Sequence, residues 1–307
     1  MTARFRQIIT TTAVILIVIL LAGATYQGVA TALERRKYPH PGSLIDVGGH
    51  QLHIYCTGEG SPAVVLEASA SGMSAAWGLV QPRIAQVTQV CSYDRAGLGW
   101  SEAGDRPYDP GRVPDELHAL LRAAGVPPPY VLSGHSLGAS FMRMFANRYA
   151  GEVAALVEID PAVAIGDEPP LLPLSPWLAR AGLLRATRLS SAAADGLPEP
   201  SLGALSSFLN RPDHLTRAAR EIARWNETVE LGANAEVASV RVATLSTTEL
   251  RDQDAAHFTV QSPFLNDPAS AKRAVVGIAA AVTQTRQKMK KPEPKVGPGK
   301  AERTSRH

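Results

Sequence analysis

The sequence predicts an α/β domain: a mostly parallel sheet with helices flanking both faces and a helical insertion. Three observations lead there. Short continuous apolar runs at 63–66, 130–132 and 153–159 are bounded by turn residues, as strands buried on both faces require. Stretches with helical spacing alternate with these runs, supplying the crossovers that parallel strands need. Between 161 and 237 no strand candidate occurs, so that segment interrupts the alternation.

Beyond a linker at 39–41, runs at 43–47 and 50–56 are separated by Gly48-Gly49 and read as a hairpin. Residues 74–85 read as a helix interrupted by Pro82. A strand at 87–93 leads into the loop Asp94-Arg95-Ala96-Gly97-Leu98-Gly99-Trp100-Ser101. In 113–124, Leu117, Leu120 and Leu121 share one helical face. The strand at 130–132 runs into Gly134-His135-Ser136-Leu137-Gly138, and a helix spans 139–149. The strand at 153–159 ends at Asp160. The insertion opens on Pro169, Pro170, Pro173 and Pro176 and carries helical runs at 177–189 and 215–230. Strand periodicity resumes at 238–245, and a helix at 269–282 closes the core. The chain thus divides into an apolar N-terminal segment (1–38), a first core part (42–160), a helical cap (161–237), a second core part (238–285) and a tail (286–307).

The net charge of +3 misrepresents the body of the chain. Residues 286–307 hold eight of the 31 basic and two of the 28 acidic residues, so residues 1–285 carry a net −3. The tail, rich in lysine, proline and glycine without apolar periodicity, reads as disordered. No basic patch interleaved with aromatics points to nucleic acid. No metal-ligand spacing or dinucleotide fingerprint occurs, so no cofactor is implied.

At the amino terminus Arg4 and Arg6 precede an uncharged apolar run from Ile8 to Ala24, with no charge before Glu34. That is long enough to cross a bilayer. Basic residues ahead of it hold the amino terminus in the cytoplasm and direct the body of the chain across the membrane. Ala22-Gly23-Ala24 resembles a cleavage site that would release a secreted product. The length of the run, unbroken before Gly23, fits an uncleaved anchor better. Cys56 and Cys91 suit an exported chain that can oxidise. Both fall in expected strands, and two buried thiols are the alternative to a disulfide.

Gly-x-Ser-x-Gly arises by chance about 0.1 times in a chain of this length at average composition. Placed between a strand and a helix it gains mechanical meaning: glycines remove the Cβ atoms that would clash in a tight turn, and the serine hydroxyl is lifted clear of the sheet. A serine merely capping the helix is the bland alternative.

Three blocks (64–69, 92–101 and 131–138) resemble the α/β-hydrolase superfamily, in particular membrane-anchored or secreted bacterial members with a Tyr-Asp-Arg-Ala-Gly-x-Gly-Trp-Ser loop. The resemblance implies a nucleophile, acid, histidine order along the chain. Ser136 is then the nucleophile. Of eight histidines, His257 alone lies beyond the last core strand and outside the tail. It is the expected base. The acid is either Asp160, just after the strand that succeeds the nucleophile helix, or Glu249, only eight residues before His257. The oxyanion donors would be the backbone N–H groups of Leu137 and, by position, Ala70. Many relatives carry His-Gly in the second loop, where this chain has Glu67-Ala68-Ser69-Ala70. Asp94, Arg95 and Trp100 read as a turn network beside the site.

The expected activity is cleavage of an ester or related acyl bond of a small molecule through an acyl-enzyme. A serine at this turn argues against dehalogenase and epoxide hydrolase chemistry, which in this fold uses aspartate. A membrane-tethered binding module without catalysis is the competing expectation, motivated by the unusual acid and oxyanion segments.

Overall fold

The computed structural model describes residues 3–166, 172–246 and 265–290. Among them seven strands form one sheet: β1 (Ser43–Asp46), β2 (Gln51–Thr57), β3 (Ala63–Glu67), β4 (Val90–Tyr93), β5 (Tyr130–His135), β6 (Val153–Ile159) and β7 (Arg241–Leu245). The order is β1-β2-β4-β3-β5-β6-β7, with β1 and β2 antiparallel to their neighbours and the rest parallel. Helices α1 (Ala3–Lys37), α2 (Gln81–Ile84), α3 (Val113–Ala123) and α4 (Leu137–Arg148) precede the cap. The cap carries α5 (Ser175–Arg180), α6 (Leu183–Thr187), α7 (Ser201–Phe208), α8 (Pro212–Ala223) and α9 (Trp225–Ala233), and α10 (Pro268–Lys290) comes after β7.

The apolar runs form strands because both sheet faces are covered. Ala63 and Val65 of β3 join Leu120, Leu132 and Phe145 on one side. Val64 and Leu66 join Val131, Ile278 and Val282 on the other. Alternate side chains point to opposite faces, so a strand with two dry faces needs no polar residue. Cys56 and Cys91 are register partners on β2 and β4 and are joined by a disulfide.

Several elements differ from the sequence expectation. The expected helix at 74–85 is a 3-10 turn at Ser74–Trp77 and then α2, which starts beside Pro82. The run at 177–189 breaks at Gly182, whose φ of 72° no continuing helix adopts. The run at 215–230 breaks at Arg224 between α8 and α9. Helix α7 has no clear periodic signal in the sequence. Helix α10 extends to Lys290, so Arg286, Lys288 and Lys290, expected in the tail, belong to a helix. Arg286 explains the extension: it donates to the carbonyls of Ser61 (2.8 Å) and Val87 (3.0 Å), tying the helix to the segments that lead into β3 and β4. Residues 291–307 lie outside the described residues.

Candidate active site

Ser136 occupies the junction of β5 and α4 with φ 53° and ψ −123°, a strained conformation for a residue with a side chain. Two backbone bonds hold it there. Its N–H donates to the Ile159 carbonyl at 2.9 Å, and its carbonyl accepts from Ala139 at 3.0 Å. Its side chain makes no capping bond to α4, which removes the helix-cap reading. The flanking glycines are sterically required. A Cβ on Gly134 would lie 2.5 Å from the Gly138 carbonyl oxygen; one on Gly138 would lie 2.5 Å from that of Ala68 and 2.6 Å from that of Glu67. Gly138→Ala is therefore expected to displace the 67–70 loop and destabilise the fold by about 1–3 kcal/mol. Thermal unfolding in detergent checks this, with an unchanged melting temperature as the contrary result.

Leu137 begins α4, and Ala70 packs with it in one apolar cluster that includes Phe141 and Trp225. The loop after β3 and the start of α4 are thus adjacent. Asp160 comes directly after β6, whose Ile159 pairs with His135. The Ser136 N–H bond to the Ile159 carbonyl means that Ser136 and Asp160 leave the ends of neighbouring strands. The Asp160 N–H donates to the Leu245 carbonyl at 2.9 Å, and its φ of 42° turns the chain away from the sheet. His257 and Glu249 lie outside the described residues.

The loop at 67–71 is supported by a buried ionic network, where the sequence suggests only a turn. Arg95 donates to the carbonyls of Ala68 and Ser69, both at 3.0 Å. It also bonds Glu67, and grips Glu221 of α8 with two bonds of 2.8 Å. Tyr93 adds a hydroxyl bond to Glu67. Burial pushes the Glu67 carboxyl up to about 7, opposed by Arg95 and Tyr93. Although burial acts the other way, Arg95 and Arg217 together hold Glu221 below its ordinary value. His214 of α8 makes a second tie: its Nδ1 accepts from the Gly99 N–H at 3.1 Å, leaving Nε2 to donate to the Ser71 carbonyl at 3.0 Å. Sequence reasoning does not single out Glu67, His214 or Glu221 as site residues. The one available signal is Glu67, a charge ending an apolar strand.

Burial depresses His214, and also His135, to about 4. Both stay neutral in the fold, whereas the unfolded chain protonates near 6.5. The unfolded state therefore binds more protons between pH 4 and 6.5, and each histidine removes about 3 kcal/mol of stability as pH falls through that window. Glu67, raised by burial, acts oppositely between 4.5 and 7. His214→Gln is expected to reduce the slope of unfolding free energy against pH by up to one proton, measured from melting temperatures between about pH 4.5 and 7. An unchanged slope contradicts the assignment.

A cleft of about 360 Å³ opens between the β1–β2 hairpin, the 103–109 loop and α3. Its lining of arginines and carboxylates, among them Arg106, Arg220, Asp105 and Glu116, does not suit an acyl chain, and Ser136 does not line it.

The sheet order, the strained serine and its two obligatory glycines define an α/β-hydrolase. The chain belongs to the alpha/beta hydrolase family, whose model matches residues 60–294. It is similar to protein C23C11.06c of Schizosaccharomyces pombe, 40% identical over 81 residues, which are 26% of this chain and 15% of that one. The chain therefore spans only a fraction of that curated relative's length. Among solved structures it resembles the enol-lactonase of Burkholderia xenovorans LB400 (TM-score 0.54, 18% identity, 80% of this chain and 100% of that one). It also resembles a candidate epoxide hydrolase of Pseudomonas aeruginosa (TM-score 0.57, 16% identity, 79% and 96%). At such identities these likenesses establish the fold.

Proposed function

We propose that this chain is a membrane-anchored serine hydrolase that cleaves a carboxylic ester or related acyl bond. The observation that carries this reading is Ser136 held at φ 53° between two glycines that cannot accept a Cβ. Strain of this kind persists only where the surrounding structure enforces it, and here it costs the helix a cap while freeing a hydroxyl. Ser136 attacks the acyl carbon as His257 takes its proton. The oxyanion is held by the N–H groups of Leu137 and Ala70, the alcohol leaves with the proton from His257, and water cleaves the acyl-enzyme. Asp160 orients the histidine, a role supported by its position at the end of the strand next to the one that carries Ser136; Glu249 is the alternative acid.

Helix α1 supports the anchor: 35 residues long, it has a window of mean hydropathy 2.5 that is not buried at all. The Cys56–Cys91 disulfide suits a body on the oxidising, extracytoplasmic side. A fluorophosphonate probe tests the chemistry. Labelling of the wild type that is lost in Ser136→Ala and His257→Ala supports the hydrolase. Absence of labelling in a folded wild type favours a membrane-tethered binding module instead.

A further inference from the structure

Helix α1 has two parts. Residues 4–22 are exposed throughout, and contact with the body begins at Gly23. A Cβ on Gly23 would collide with the Ala181 carbonyl, and one on Gly182 would lie 2.9 Å from the Gly23 carbonyl oxygen. Two glycines thus let the backbone of α1 touch the connection between α5 and α6. Further along, the Gln27 amide donates to the Asn210 carbonyl at 2.7 Å and accepts from Arg185 Nε at 2.9 Å. Arg185 also pairs with Glu34, and Tyr38 lies against Gly203 of α7. From Gly23 onward the helix is fixed to the cap.

The height of that first contact can be set against the thickness of a bilayer. A helix rises 1.5 Å per residue, so the roughly 17 residues from Arg6 to Gly23 cover about 25 Å. A hydrocarbon core of about 30 Å requires about 20 residues. With Arg6 at the inner boundary, the outer boundary falls near Tyr26, beyond the first cap contact. The Ala181–Gly182 connection then lies about 5 Å inside the hydrocarbon edge, within the depth reached by helices that lie in a membrane interface.

The residues flanking that connection have the chemistry such a position demands. Trp177, one turn before Ala181, is 66% exposed, Leu183 is 50% exposed and Leu174 is 48% exposed. The Arg180 guanidinium lies 4.9 Å over the Trp177 ring. An interfacial tryptophan with an arginine at phosphate level is the usual composition of a membrane boundary.

We infer that the cap edge formed by Leu174, Trp177 and Leu183 is seated in the outer phospholipid interface of the bilayer that α1 crosses, as a second, monotopic membrane contact. This rests on reading α1 as a retained anchor. The test uses the full chain in phosphatidylcholine vesicles containing lipid brominated near the carbonyl end of one acyl chain. Wild type is compared with Trp177→Phe, and each sample is also washed with alkaline carbonate. The expected result is retention in the vesicles and bromolipid quenching of the emission component that Trp177→Phe removes, with that component shielded from aqueous iodide. Retention with no bromolipid quenching of that component overturns the cap contact while leaving the anchor intact. Release by carbonate overturns the anchor reading, and the inference with it.

Discussion

Replacing Ser136 by alanine is expected to abolish fluorophosphonate labelling and to lower kcat on a responsive ester by about 10⁶-fold. The magnitude comes from the mechanism: without the hydroxyl no acyl-enzyme forms, and only substrate binding and the oxyanion donors still act. His257→Ala is expected to fall in the same range, because nucleophile and base work as a unit. The acid is distinguished by a smaller effect. Asp160→Asn or Glu249→Gln, whichever removes the true partner, should reduce kcat by about 10⁴-fold while leaving KM nearly unchanged. The other should stay close to wild type. Near-normal turnover by a folded Ser136→Ala protein would remove this mechanism.

The largest expected effect on stability comes from Arg95. Arg95→Met leaves Glu67 and Glu221, both fully buried, without their shared cation. Breaking a buried ion pair from one side costs about 3–5 kcal/mol, because the remaining charge stays uncompensated. The backbone carbonyls of Ala68 and Ser69 lose their donors as well. Below about pH 7 Glu67 can accept a proton, so the deficit should narrow as pH falls. Arg95→Lys keeps one charge but cannot reproduce the guanidinium fork, and should be intermediate. Adding Glu67→Gln and Glu221→Gln to Arg95→Met should recover part of the loss. Melting temperatures of these proteins and the wild type in detergent check the series, and a fully stable Arg95→Met would refute the clamp.

The clamp changes the meaning of the cap. Through Glu221 and His214, helix α8 reaches the loop that carries Ala70, with 126 positions of chain separating Arg95 from Glu221. The cap is therefore a structural support of the candidate oxyanion segment.

The features legible in the sequence are local ones. Strands with two buried faces leave unbroken apolar runs, and the turn at Ser136 needs glycine at fixed offsets, so both leave marks within a few residues. Helix ends in the cap are less legible because Gly182 and Arg224 break runs whose composition continues across them. The disulfide depends on β2 and β4 being neighbours, which spacing alone leaves open between bond and thiols.

By itself the sequence determined the α/β class, the tight turn at Ser136 and the apolar helix ahead of the body, since each is encoded by residues adjacent in the chain. Only the tertiary structure decided that Arg95 holds the 67–70 loop, that His214 is a buried neutral tie, and that the cap meets α1 at Gly23. Those are contacts between distant segments, and the energies that fix them, burial of charge and close packing of backbone, exist only once the chain has folded.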